Sequence, residues 1–193
     1  QESLTSTTPV AGPDDLKDWK FRSPPGMETE IFANLGASPI VMDFTEVFTA
    51  METGIIEGTD YSGLANNQSI GLFDLAQHAT YPGFHSMPSD HLACNKMVWD
   101  GLSDQHKRII ETAMEKLALR SALFFEKANA EAAAELAEKG VTLHNWSAED
   151  RATFRKAAQA AWDDWATRSP EAAALVESHK SYLTQLGLIS QSE

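Results

Sequence analysis

Along the first half of the chain, apolar positions come in short runs whose period switches between two and about 3.6. Residues 1–14 are rich in Ser, Thr and Pro without periodicity, and predict an extended lead-in. Lys20-Phe21-Arg22 predicts a brief buried strand, stopped by Pro24-Pro25-Gly26. From Glu28 to Leu35, Ile31, Phe32 and Leu35 share one helical face, and Gly36 follows as a stop. Pro39 to Met42 predicts a short strand. Phe44-Thr45 opens a helix with Val47, Phe48 and Met51 on one side, ended by Gly54. Ile55-Ile56 leads into another strand with Asp60-Tyr61 at its far end, and 63–76 predicts a helix.

The pattern then changes. Thr80 to His85 predicts a turn carrying aromatic rings, and His91 to Asn95 a strand returning from it. Ser103 is an N-cap for a long helix that runs to about Lys139, where Gly140 stops it. Its 128–138 stretch is mostly Ala and Glu, strong helix formers. At 1.5 Å per residue it would span roughly 55 Å. Val141 to His144 predicts an edge strand. Ser147-Ala148-Glu149-Asp150 caps a helix carrying Phe154, Ala158, Ala161, Trp162 and Trp165, and Ser169-Pro170 starts a last helix ending at Gly187. The expected organisation is therefore an α/β ligand-binding lobe at 1–88 and a helix-rich part at 89–193. Strand–helix alternation with short connections implies one sheet, and ligands bind beyond the carboxyl ends of such strands. Arg22 and Asp60-Tyr61 are expected at such ends.

Composition narrows the function. With 28 acidic and 15 basic residues the net charge is −13, which argues against nucleic acid and against a membrane headgroup face. No apolar run approaches the ~20 residues of a membrane span. The single cysteine, Cys94, excludes an intramolecular disulfide and is expected in a strand as a small core residue. No nucleophile elbow, P-loop or dinucleotide fingerprint is present, which leaves open only an enzyme without these motifs. The histidines at 78, 91, 106, 144 and 179 lack ligand-like spacing, and Trp146, Trp162 and Trp165 are expected to be packing residues.

Candidate chemistry centres on a few residues. Arg22 offers a fixed fork suited to a carboxylate, although an arginine after a strand also serves as a surface or bracing residue. Asp60 could ligate a metal, accept a ligand hydroxyl, or take turn hydrogen bonds; Tyr61 could give its phenol or its carbonyl. Phe84 could pack on the apolar part of a ligand and His85 could hydrogen-bond it, or both could belong to a packed turn. Asn66 and Asn67 are expected to be cap or loop residues.

The order Asp15-Leu16-Lys17-Asp18-Trp19-Lys20-Phe21-Arg22, Ser-Pro-Pro-Gly, Gly36-Ala37-Ser38-Pro39 and Gly54-Ile55-Ile56-Glu57-Gly58-Thr59-Asp60-Tyr61 resembles the DctP-like solute-binding proteins of TRAP transporters. The resemblance runs from about Thr7 to Ile189. It implies a periplasmic-binding-protein-like fold with a long helix crossing two lobes, periplasmic location after removal of a signal peptide, and delivery of a small organic acid to the transporter's membrane subunits. It implies that Arg22 clamps the acid's carboxylate. The family's proteins begin with a further lobe, expected to lie outside these 193 residues. Asp60-Tyr61 and the Tyr81-Pro82-Gly83-Phe84-His85 turn are similar to the branch that binds 2-oxo and 2-hydroxy acids. That branch carries Glu-Trp where this chain has Asp-Tyr, chemically parallel but different in reach. It holds a cation beside the substrate, which implies calcium or sodium on Asp60, Tyr61 and Gln1. Two other functions fit the residues: a helical protein–protein interaction module on 103–189, and a hydrolase or lyase using Asp60 and His85.

Overall fold

The computed structural model describes residues 1–86 and 92–189. Six strands form one mixed sheet in the order β3-β2-β4-β1-β5-β6. They are β1 (Ser3–Ser6), β2 (Lys20–Ser23), β3 (Ser38–Val41), β4 (Gly58–Ser62), β5 (His78–Thr80) and β6 (Thr142–His144). Strands β3, β2 and β4 run parallel, as do β5 and β6. Between these groups lies β1, antiparallel to both β4 and β5.

β1 is one of the elements the hydrophobic pattern missed. All four of its residues are buried although three are polar. Hydrogen bonds replace apolar burial here. Ser3 Oγ donates to the Thr80 carbonyl (2.7 Å), and the Leu4 amide donates to Thr80 Oγ1 (2.9 Å). The Asn67 side-chain amide donates to the Ser3 carbonyl (3.0 Å) and to Thr5 Oγ1 (2.9 Å). Asn67 is thus a buried sheet fastener rather than a loop residue. Trp19 Nε1 donates to Ser6 Oγ (3.0 Å). Gly58 lets the sheet close at this point: a Cβ there would lie 2.6 Å from the Thr5 carbonyl oxygen and would run into the Trp19 ring.

Helices α1 (Met27–Asn34), α2 (Val47–Glu52) and α3 (Leu64–Ser69) connect these strands. The helix expected over 63–76 is split, because Gly71 takes a left-handed conformation (φ +80°) that ends α3 before a 3-10 turn at Leu72–Asp74. α4 (Lys96–Gly101) was not foreseen; Asn95 caps it by accepting from the Met97 amide. The strand expected over His91–Asn95 is absent from 92–95, and His91 lies outside the described residues. Cys94 is accordingly exposed, not a core residue. Asp60-Tyr61 sits inside β4 rather than at its far end.

α5 (Asp104–Glu138), α6 (Ala148–Ala166) and α7 (Pro170–Gln185) begin at Ser103, Ser147 and Ser169, whose hydroxyls accept the capping amide bonds. Ser147 and Asp150 complete a capping box. Only the last turns of α5 reach the core, through Ala132 and Leu136. Earlier turns leave Leu117, Leu123 and Phe124 exposed. β6 completes the sheet edge, and α6 packs on α1. Trp19, Phe21, Phe32, Trp146 and Phe154 join in one aromatic core on that face. Val47, Met51, Ile56 and Leu72 form a second cluster.

Candidate functional site

Parallel pairing of β2 with β4 sets Arg22 opposite Thr59, one residue from Asp60. The guanidinium is buried, with the residue only 3% exposed. Nη1 donates to the Asp60 carbonyl oxygen (2.6 Å) and Nε to the Met42 carbonyl oxygen (3.3 Å). The plane lies over the Phe44 ring, 4.0 Å from its centroid. Burial pulls the Arg22 pKa down, and the charges of Asp60 and Glu28 oppose that. An arginine so held has its long side chain fixed before any ligand arrives, which lowers the entropic cost of gripping an anion.

Successive side chains of a strand point to opposite faces. The Asp60 carboxylate faces α1 and the aromatic core. Tyr61 faces the other way, packing with the second cluster and edge-on to Phe44 (4.7 Å between ring centroids). Nε2 of His85 lies 3.4 Å from Asp60 Oδ2 and 3.3 Å from Glu28 Oε1. His85 packs among Phe32, Phe84 and Phe154, with ring centroids 5.5, 4.8 and 5.9 Å away. Phe84 itself stacks on Trp146 at 3.8 Å. Glu2, just before β1, brings a third carboxylate: one donor atom from each of Glu2, Glu28, Asp60 and His85 falls within 4.8 Å of all the others.

Of the residues singled out in the sequence, Asp60, His85 and Phe84 are therefore joined in one chain of side-chain contacts, while Arg22 meets Asp60 through its backbone carbonyl and shares the Phe44 ring with Tyr61. Gln1 is exposed and runs beside Gly83. Glu2 and Glu28 were missed. Glu28 looks in sequence like an ordinary acidic residue in a helix's first turn, and Glu2 lies in a stretch without pattern. The fold also pairs His78 with His144, Nδ1 to Nε2 at 3.1 Å across β5 and β6, although they are 66 residues apart. Burial and the neighbouring His78 lower the His144 pKa.

The electrostatics of the buried cluster follow from crowding. Burial alone would lower the His85 pKa, but the negative charges of Asp60 and Glu28 reverse this and raise it to about 10. Burial, then the adjacent Asp60 carboxylate, raises Glu28 to about 8, with His85 opposing. Burial also presses on Asp60, yet the His85 charge holds it below its ordinary value. A raised folded-state pKa stabilises the fold below the unfolded value and loses that contribution as pH rises through the folded one. For Glu28 the loss runs from 4.5 to about 8, and for His85 from 6.5 to about 10. Asp60 acts oppositely, its contribution disappearing as pH falls through its depressed value. The midpoint of thermal unfolding of metal-free protein is expected to fall between about pH 6 and about pH 9. Glu28→Gln, which stays neutral, should flatten the first part of that decline. A midpoint that rises over the interval, or an identical slope in the variant, would contradict this arrangement.

Comparison with known proteins agrees with the architecture. Residues 1–168 match the family model described as bacterial extracellular solute-binding protein, family 7, or DctP. The C4-dicarboxylate-binding periplasmic protein DctP of Rhodobacter capsulatus is 30% identical over 168 residues, 86% of this chain and 50% of that protein. The monocarboxylate 2-oxoacid-binding periplasmic protein of a Nostoc strain is 25% identical over 173 residues, 89% of this chain and 47% of that protein. An apo, open TRAP periplasmic solute-binding protein structure from Rhodobacter sphaeroides superimposes with a TM-score of 0.80 at 34% identity, covering 98% of this chain and 61% of that one. A homologue from Pseudoalteromonas atlantica with bound sodium and pyruvate has the same fold, with a TM-score of 0.80 at 23% identity, covering 96% of this chain and 57% of that one. The chain spans about half the length of the sequence relatives it matches. By the match over residues 1–168 and the agreement of fold, the chain belongs to the bacterial extracellular solute-binding protein family 7, the DctP family.

Proposed function

We propose that this chain contributes the arginine-bearing lobe of a periplasmic TRAP solute-binding protein that captures a small organic acid and hands it to the transporter's membrane subunits. The observation that carries the reading is the buried, pre-ordered Arg22 guanidinium beside the Asp60 cluster, in a chain of this family. Relatives named for C4-dicarboxylate and 2-oxoacid binding support a carboxylate as the group recognised. In this reading Arg22 pairs with the carboxylate, and Asp60, Tyr61 and His85 read its neighbouring oxygens. Phe84 shields the pair from water, and closure of a second lobe completes the site. No turnover is involved, and the role is binding and release.

The test is a calorimetric titration of the full-length protein with C4-dicarboxylates, 2-oxo acids and 2-hydroxy acids. Calcium and sodium are each added and withheld, to decide whether Asp60, Tyr61 and Gln1 hold a cation beside the ligand. Saturable binding of one acid class without turnover supports the reading. Absence of binding to every carboxylate overturns it. A second reading, a helical interaction module, is favoured by the exposed Leu117, Leu123 and Phe124 of α5. Its mark is loss of a protein partner on Phe124→Asp with acid binding intact.

A further inference from the structure

Four acidic or imidazole side chains meet beneath β4, and solute capture does not account for two of them, Glu2 and Glu28. Their donor atoms and those of Asp60 and His85 all lie within 4.8 Å of one another. Asp60 and His85 are 2% and 6% exposed. Both Asp60 carboxylate oxygens, Oε1 of Glu28 and both ring nitrogens of His85 lack a hydrogen-bond partner among the described residues. Buried polar atoms are normally paired, and an unpaired set converging on one point indicates an occupant. Three crowded carboxylates also outnumber the one imidazole set among them. Arg22 commits its Nε and Nη1 to the Met42 and Asp60 carbonyls, so it does not neutralise them by direct bonding through those atoms.

The spacing indicates what kind of occupant fits. His85 Nε2 stands 3.3 Å from Glu28 Oε1 and 3.4 Å from Asp60 Oδ2. Nitrogen and oxygen donors bound tetrahedrally at ~2.0–2.1 Å to one ion stand roughly 3.3–3.4 Å apart. Calcium and magnesium prefer oxygen donors alone, whereas an imidazole among carboxylates suits zinc and its first-row neighbours. We infer that Glu2, Glu28, Asp60 and His85 form a binding site for a divalent first-row transition cation of zinc-like geometry. His85, Asp60 and Glu28 supply the inner face, and Glu2 closes the fourth position. Glu2 and Glu28 are the less buried pair and mark the side from which the ion reaches the site. The ion would pin four segments together: the residue before β1, the first turn of α1, the middle of β4 and the loop after β5. The site shares Asp60 and His85 with the proposed acid site, but Glu2 and Glu28 belong only to the ion and Arg22 only to the acid, so zinc titration of Glu2→Gln and acid titration of Arg22→Lys tell the two readings apart.

The experiment is calorimetric titration of the chelator-treated full chain with zinc alone, repeated with calcium, and a cobalt(II) absorption spectrum. One equivalent of zinc, intense tetrahedral cobalt bands and calcium at least about tenfold weaker are expected. His85→Gln and Glu28→Gln should each weaken zinc by more than the ~10–100-fold typical of lost outer-shell partners. Glu2→Gln, at the less buried edge, decides the matter if those variants do not fold, and should also weaken zinc with the circular dichroism unchanged. His144→Asn removes the His78–His144 pair and should leave affinity intact. No stoichiometric zinc uptake overturns the site, as does uptake lost in His144→Asn but kept in Glu2→Gln.

Discussion

Arg22→Ala is expected to lower affinity for the captured acid by about 100-fold, and Arg22→Lys by at least about tenfold. Hydrogen bonds to charged groups contribute ~1.5–3 kcal/mol, which is roughly 10- to 150-fold in binding. The alanine change has a second effect. It leaves the Met42 and Asp60 carbonyls without the guanidinium that now bonds them, so part of its loss is structural. Lysine separates the two. It keeps the charge and most of the buried stem, but lacks the planar fork that lies over Phe44, bonds two carbonyls and still presents donors to a carboxylate. Calorimetry on the lysine variant, with far-UV circular dichroism as a check on folding, gives the answer. Affinity within about twofold of the native protein, with only the thermal midpoint lowered, would show Arg22 to be a brace and not a clamp.

Phe32→Ala is expected to destabilise the fold by about 3–5 kcal/mol, the usual cost of removing a fully buried phenylalanine. Phe32 is wholly buried on α1. Its ring meets Phe21 at 4.8 Å, Phe154 at 5.3 Å and the edge of His85 at 5.5 Å. These partners come from β2, α6 and the loop after β5, so no single element can move in to fill the space. Urea unfolding should show a lower midpoint with little change in slope. Phe48→Ala is the control: that ring is 39% exposed, and its removal should cost under about 1 kcal/mol. Equal losses for the two would mean that the aromatic core is looser than described.

Legibility in the sequence followed the physical source of each element. Helix α1 was readable from its apolar face alone, and α5, α6 and α7 from their serine starts, where Ser103, Ser147 and Ser169 do accept their capping bonds. β2 and β3 were readable from short apolar runs cut by proline and glycine. β1 and β5 were not, since their burial rests on hydroxyl and amide bonds to distant residues, which leave no period. The returning strand at 92–95 failed for the opposite reason: Leu92 and Cys94 suggest an apolar run, but Leu92 is 61% exposed and Asn95 turns the chain into α4. In the site, Arg22, Asp60 and His85 stood out by residue type and position. Glu28 and Glu2 did not, because only the packing of α1 brings Glu28 to His85 and only the pairing of β1 with β4 brings Glu2 there.

The place of β1 in the sheet also orders events during synthesis. This segment is made before its partners, which are residues 58–62 on one side and 78–79 on the other. Until β5 has been made, the sheet can reach no further than β3-β2-β4-β1, and β6, at 142–144, completes its edge only later still. Trp146 must then come back to donate to the Val10 carbonyl, across 136 residues of chain. Such non-local closure is slow compared with helix formation. A nascent chain stalled before residue 78 would hold β1 against β4 alone, with its other edge open and the seam between the two halves of the sheet unmade.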